Sequence, residues 1–276
     1  MPLLIIFDLD GTLAESKSPL DAQMAGLLSE LLALRKVAVI SGASFGQFQR
    51  QFLAHLMSAT SHELENLSIL PTNGSCFYKY EISEGRGQWK VLYQQVLTAE
   101  EKEHVKTSFD VVLGHADIVP FFKGRTIYGP QLEDRGSQVT FSGVGQQAPN
   151  DAKQDWDPDH KKRELIVAHL QPMLPDFQIN IGGMTSIDVT KKGIDKEHGI
   201  NALIEHFSIP KNAIMYVGDA IFPGGNDYAA VRAGVPTFPV TSVSETKNFI
   251  RDLIQGMKTP ISGASHVGRE EQSILS

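Results

Sequence analysis

The run Leu3-Leu4-Ile5-Ile6-Phe7 stops abruptly at Asp8. It is too short for a helix, and its branched, uniformly apolar residues suit a strand buried on both faces. Val37 to Ile40 is a second such run, ending at Ser41-Gly42, and Leu67 to Leu70 is a third. Between them, Pro19 to Arg35 and Phe45 to Leu56 carry the apolar spacing of helices. The same grammar returns late in the chain. Lys196 to Phe207 predicts a helix capped by Asp195, and Ala213 to Val217 a strand ending at Gly218-Asp219. Asp227 to Ala233 predicts a short helix, opened by Asn226 and stopped by a left-handed Gly234. Val235 to Val240 and Thr246 to Met257 predict a last strand and helix. Strands alternating with helices build a parallel sheet covered on both faces.

The middle of the chain differs. Gln138-Val139-Thr140-Phe141 and Phe177-Gln178-Ile179-Asn180 alternate polar with apolar, as half-buried strands do. Helices are expected near Thr98 to Leu113 and Asp159 to Met173. The expected organisation is an α/β core from 1–82 and 189–258, an inserted α+β unit from 83–188, and a polar tail from 259–276. A length of 276 residues suits about two domains.

Composition narrows the function classes. Lys and Arg total 25 against 32 Asp and Glu, a net charge of -7, which disfavours tracking a nucleic-acid backbone. Cys76 is the single cysteine, so an intrachain disulfide and a cysteine-based zinc site are excluded. His62-Glu63 lacks the second histidine of a zinc-protease motif. No apolar run reaches membrane-spanning length, and the N-terminus lacks the basic start of a signal peptide, so the expected setting is the cytoplasm, away from membranes.

The strongest chemical signal is Asp8-Leu9-Asp10-Gly11-Thr12-Leu13, directly after the first strand. Ligands of open α/β sheets bind at the carboxyl ends of strands. Two carboxylates two residues apart, in a turn with glycine, suit a hard cation such as magnesium. One can attack an electrophile while the other moves protons. A calcium loop numbered from Asp8 fails, because it needs Gly where Leu13 sits and Glu where Pro19 sits. Gly218-Asp219, with Asn226-Asp227 after Pro223-Gly224-Gly225, offers acids at a second strand end. Ser41, just past a strand, reads either as a holder of phosphate oxygens or as part of a plain turn, and Lys196, at a helix start, either as a phosphate's counter-charge or as solvated surface. Gly143-Val144-Gly145-Gln146-Gln147-Ala148 fits a loose dinucleotide fingerprint but leads into Pro149-Asn150-Asp151 rather than an apolar helix. Lys161-Lys162-Arg163 reads as a solvated helix face.

Taken in order, Asp8-x-Asp10, Ser41, Lys196 and Gly218-Asp219 with Asn226-Asp227 resemble the haloacid dehalogenase superfamily of phosphotransferases. The long insertion resembles the type 2 cap of its Cof-like branch. Within that branch, Gly182-Gly183-Met184-Thr185-Ser186-Ile187-Asp188-Val189, Asp195-Lys196 and the 218–227 segment are similar to the eukaryotic-type phosphomannomutases, with Arg135 on a family arginine. The resemblance implies a Rossmannoid core with an inserted α+β cap and a dimer through the caps. It implies Mg2+ held by Asp8, Asp10 through its carbonyl, Asp219 and Asp227. Asp8 would be the nucleophile and Asp10 the acid and base, with Ser41 and Lys196 offsetting phosphoryl charge. Arg135, Gln146, Lys153, Ser186 and Asp188 would bind the phosphorylated sugar.

The chain departs from that pattern in its cations. Family arginines fall on Gln146 and Lys153 in the cap, and another falls on Lys17. Losing one charged hydrogen bond costs about 1.5–3 kcal/mol. A weakened cap grip on a sugar bisphosphate makes magnesium-dependent hydrolysis of a sugar phosphate the first expectation. The alternative is a phosphomannomutase interconverting mannose 1-phosphate and mannose 6-phosphate. A catalytically silent binding protein is a remote third, disfavoured by the intact Asp8, Asp10, Lys196 and Asp219.

Overall fold

The structure, a computed structural model, describes residues 1–16, 18–56 and 59–258; Lys17 and the expected tail at 259–276 lie outside them. Strands β1 (Leu4–Phe7), β2 (Lys36–Ile40) and β3 (Leu67–Leu70) are joined by helices α1 (Ala22–Leu32) and α2 (Phe45–Gln51) and the single turn α3 (Ser61–Leu64). A tight turn, α4 (Pro71–Gly74), leads into the hairpin β4 (Cys76–Ser83) and β5 (Arg86–Gln94). The chain then builds α5 (Ala99–Leu113), β6 (Leu132–Asp134), β7 (Val139–Ser142), α6 (Asn150–Trp156), α7 (Lys161–Leu170), β8 (Phe177–Gly182) and β9 (Ser186–Lys191). It returns through α8 (Lys196–Phe207), β10 (Ile214–Gly218), α9 (Tyr228–Ala233), β11 (Thr237–Pro239) and α10 (Val243–Lys258).

Two sheets result. The larger runs β11-β10-β1-β2-β3-β4-β5, parallel from β11 to β3 and antiparallel in the edge hairpin. Its β1 residues alternate between two cores. Ile5 and Phe7 pack with Met24, Phe48 and Ile250 from α1, α2 and α10. Leu4 and Ile6 pack with Ile200, Leu203 and Ala230 from α8 and α9. That double burial is why the strands read as unbroken apolar runs.

The smaller sheet is antiparallel, in the order β6-β7-β9-β8. One face of it (Val139, Phe141, Ile187, Val189) packs on Val105 and Phe109 of α5 and Ile166 and Leu170 of α7. The intervening Thr140 and Asp188 turn toward the larger sheet, so the alternation read from the sequence marks the face that meets the core.

The hairpin extends the larger sheet to Gln94, past the boundary expected at 82, and β9 runs across the return expected at 189. Glu84 and Gly85 make the hairpin turn at φ 51 and 74, the paired positive values of a two-residue loop. An amphipathic antiparallel hairpin has the same pattern in either sheet, so alternation alone does not assign it. Among the described residues, no helix is long and apolar enough to cross a membrane.

Candidate active site

β1 and β10 lie side by side in parallel register, Phe7 opposite Val217, so Asp8 and Asp219 leave adjacent strand ends. The approach is close. A Cβ on Gly11, which sits at φ 88, would lie 2.4 Å from Asp219 Oδ2. One on Gly218 would lie 2.4 Å from Asp227 Oδ2. Asp8, Asp219 and Asp227 each offer an oxygen within 4.8 Å of the others. Lys196, the first residue of α8, is buried against them. Its Nζ donates to Asp8 Oδ1 at 2.6 Å and to Asp227 Oδ1 at 2.7 Å. The Tyr216 hydroxyl donates to Asp227 Oδ1 at 2.5 Å and the Ala220 amide to Oδ2 at 3.0 Å. Both oxygens of Asp227 are therefore engaged by protein donors.

Burial pushes Asp8 well above the usual carboxylate range; Lys196 opposes this, while Asp227 and Asp219 add to it. Asp219 opens to the cleft, yet the protein packed around its carboxyl and the neighbouring Asp227 push it up to about 6. Burial acts to lower Lys196, but Asp227 and Asp8 more than offset it and hold the ammonium protonated. Three carboxylates face one lysine. A set of oxygen donors with surplus negative charge fits a hard divalent cation.

Above this floor lies a cavity of about 630 Å³, lined by Asp8, Asp10 and Ser41 from below and Arg135, Lys153 and Ser186 from above. Ser41 is buried, and its Oγ accepts from the Ala43 amide at 3.2 Å. Asp10 pairs its backbone with Ala14 across the turn. Lys153 Nζ donates to Asn150 Oδ1 at 3.4 Å. Burial lowers its pKa and the charge of Asp10, across the cleft, opposes that. Arg135 pairs with Glu133 at 2.6 Å and donates to the Gly42 carbonyl at 2.6 Å. Asp188 accepts from Thr140 Oγ1 and Asn73 Nδ2, each at 2.9 Å. Gln138 Nε2 donates to the same Gly42 carbonyl at 3.1 Å. The two sheets are thus latched together beside Ser41.

The comparisons with known proteins agree with this layout. The eukaryotic phosphomannomutase profile matches residues 27–256. The chain belongs to the eukaryotic phosphomannomutase family. It is an enzyme. It is 25% identical over 260 residues to phosphomannomutase 1 of Dictyostelium discoideum, covering 91% of this chain and 96% of that one. Against the phosphomannomutase of Spinacia oleracea it is 27% identical over 232 residues, covering 82% and 85%. The IMP-bound, N-terminally truncated IMP-nucleotidase of Plasmodium falciparum shares the fold, with a TM-score of 0.67 at 17% identity over 91% of this chain and 68% of that one.

Against that family's pattern, three sequence readings change. Gln146 does not reach the cavity: its amide donates to the Gln131 and Thr140 carbonyls, each at 3.2 Å. Asn226 lines the cavity but caps nothing; α9 starts after Asp227, whose carboxylate is already held by Lys196 and Tyr216. Arg163 is no solvated surface residue. It is fully buried, with Nε on Asp157 Oδ2 at 2.7 Å and an Nη on the carbonyls of Gly182 and Gly183 at 3.2 and 2.8 Å. Arg163, Ile166 and Leu170 share the inward stripe of α7, a spacing the basic run concealed.

Asn73 and Tyr216 escaped the sequence reading. Asn73 occupies the left-handed region at φ 55, in the Pro71-Thr72-Asn73-Gly74 turn after β3. A Pro-x-Asn-Gly string at a strand end carried that signal. Tyr216 carries a hydroxyl inside an otherwise apolar strand, two residues before Gly218-Asp219, and a buried hydroxyl needs a partner.

Proposed function

We propose that the protein is a phosphomannomutase working through an aspartyl phosphate on Asp8. The observation that carries this is the family match across both sheets, joined to an Asp8 carboxylate seated 2.6 Å from the Lys196 ammonium. The reading replaces hydrolysis as the first choice. Hydrolysis stays as the second reading because Gln146 turns into the cap sheet, leaving Arg135 and Lys153 as the family-arginine positions facing the cavity.

In this mechanism Asp8 attacks phosphorus, and the bond to the sugar oxygen breaks as Asp10 gives that oxygen a proton. Asp10 then takes a proton from the accepting hydroxyl of a hexose phosphate as the phosphoryl group leaves Asp8. The hexose bisphosphate reorients and presents its other phosphate to Asp8. Lys196 and Ser41 offset charge on the transferring group. Mg2+, held by Asp8, Asp219 and the Asp10 carbonyl, would neutralise phosphoryl oxygens, with Asp227 fixing Lys196 beside it. Arg135, Lys153, Ser186 and Asp188 would meet the sugar and its distal phosphate. A cavity of about 630 Å³ lies within the roughly 300–1,000 Å³ of small-molecule sites. A dimer through the caps belongs to the same reading and is checked by light scattering.

The test is one incubation of protein, Mg2+ and mannose 1-phosphate, with and without glucose 1,6-bisphosphate. Mannose 6-phosphate formed in dependence on the bisphosphate, with little free phosphate, is the expected result. Free phosphate without isomer would replace this reading with hydrolysis.

A further inference from the structure

On the face of the cap that carries the helices, away from the cleft, three potential metal ligands converge. His115 and Asp117 lie just beyond the C-terminus of α5, and His169 lies in the last turn of α7. Each offers a donor atom within 4.8 Å of the other two. His169 Nε2 already meets Asp117 Oδ2 at 2.9 Å, and the two imidazole rings are 4.6 Å apart between centroids. None of the three lines the catalytic cavity.

We propose that His115, Asp117 and His169 bind one zinc ion that fastens the end of α5 to the end of α7. Four features support it. Two imidazoles and one carboxylate are a borderline donor set suited to Zn2+, unlike the all-oxygen cluster at Asp8. Tetrahedral zinc at about 2.0–2.1 Å from its ligands sets them about 3.4 Å apart, a small adjustment from the present geometry. The backbones are fixed on both sides: buried Val112 and Ile118 bracket His115 and Asp117, and buried Ile166 and Leu170 bracket His169. Both helices also aim their C-terminal, partially negative ends at the site, which favours a cation. The hydrogen bond from His169 to Asp117 is the proton-filled version of the same arrangement; on zinc binding the Nε2 proton would pass through solvent to Nδ1, freeing the Nε2 lone pair for the metal, and His115 would join with water as the fourth ligand. The site is independent of the reaction proposed above.

The test is calorimetric titration of the full chain with Zn2+ in excess Mg2+, which keeps the acidic cluster at Asp8 occupied. One equivalent of zinc should bind. Affinity should fall at least tenfold in His169→Ala and in Asp117→Asn, and the stoichiometric binding should vanish in the His115→Ala/His169→Ala double variant. Zinc should raise the melting temperature of the parent and leave that of the double variant unchanged. Substituting Co2+ should give the intense visible bands of a tetrahedral site in the parent alone. Equal zinc affinity in the parent and the double variant, or no stoichiometric uptake by the parent, would overturn the proposal.

Discussion

Lys196 in the core and Arg163 in the cap are both buried cations, and the two are treated differently. Lys196 in the core is 1% exposed and faces Asp8 and Asp227, with Asp219 close by. Arg163 in the cap is fully buried and faces Asp157 alone, its other donors taken by the carbonyls of Asp157, Gly182 and Gly183. Charge around Arg163 cancels and every bond is internal. Charge around Lys196 does not cancel; the surplus is negative and Asp219 opens to the cavity. Burial of charge therefore does not by itself mark a reactive site, since both halves have it. The imbalance marks it, because only an unbalanced cluster gains from an incoming cation and phosphoryl group.

The largest test of that contrast is Asp8→Asn. Turnover should fall on the order of 10⁴-fold or more, as when a nucleophile is removed. Relieving the carboxylate crowding should leave the melting temperature unchanged or raised. Retained turnover would remove Asp8 from the chemistry. Arg163→Met should do the opposite. It strands Asp157 in the interior and should cost about 3–5 kcal/mol in urea denaturation. If that variant matched the parent's stability, the pair at Arg163 would not be structural and the comparison would fail.

A third change probes the seam between the halves. Arg135→Met removes the donor to the Gly42 carbonyl and a cavity cation together. One lost charged hydrogen bond predicts about 1.5–3 kcal/mol, or roughly 10–150-fold in KM for the sugar phosphate. An unchanged KM would mean that Arg135 serves the latch alone.

Much of the core was legible because each signal was local. A buried strand followed at once by Asp8, and another followed by Gly218-Asp219, place two carboxylates wherever β1 and β10 pair. The α8 bounds, Lys196 to Phe207, follow from the Asp195 cap and the apolar spacing. The cap site was less legible because its residues serve two masters. Arg135 and Asp188 were read as ligands of a sugar, yet both also hydrogen-bond the core, at Gly42 and Asn73. Contacts between residues as far apart as Asn73 and Asp188 leave no periodic trace. Arg163 was misread because composition speaks for a run and burial for one stripe of a helix.

The smallest predicted effect contrasts two groups on one helix. Lys196 and His198 are two residues apart on α8. The acids around Lys196 secure its proton, whereas burial lowers the pKa of His198, with Asp195 opposing weakly. The His198 ring is half-buried and packs edge-on to Tyr93, 5.5 Å between centroids. The folded protein therefore disfavours protonation of His198 relative to the unfolded chain, which protonates it near the ordinary histidine value of about 6.5. Below that value the unfolded state binds more protons, so stability falls with pH until the folded imidazole also titrates. His206, also lowered by burial, adds a slope of the same sign. His198→Gln should remove its share and leave that of His206. Urea midpoints measured from about pH 7.5 to 5.5 should accordingly fall less in the variant than in the parent. Parallel curves would show that the imidazole is equally at ease charged, and that the polarity of α8 extends past Lys196.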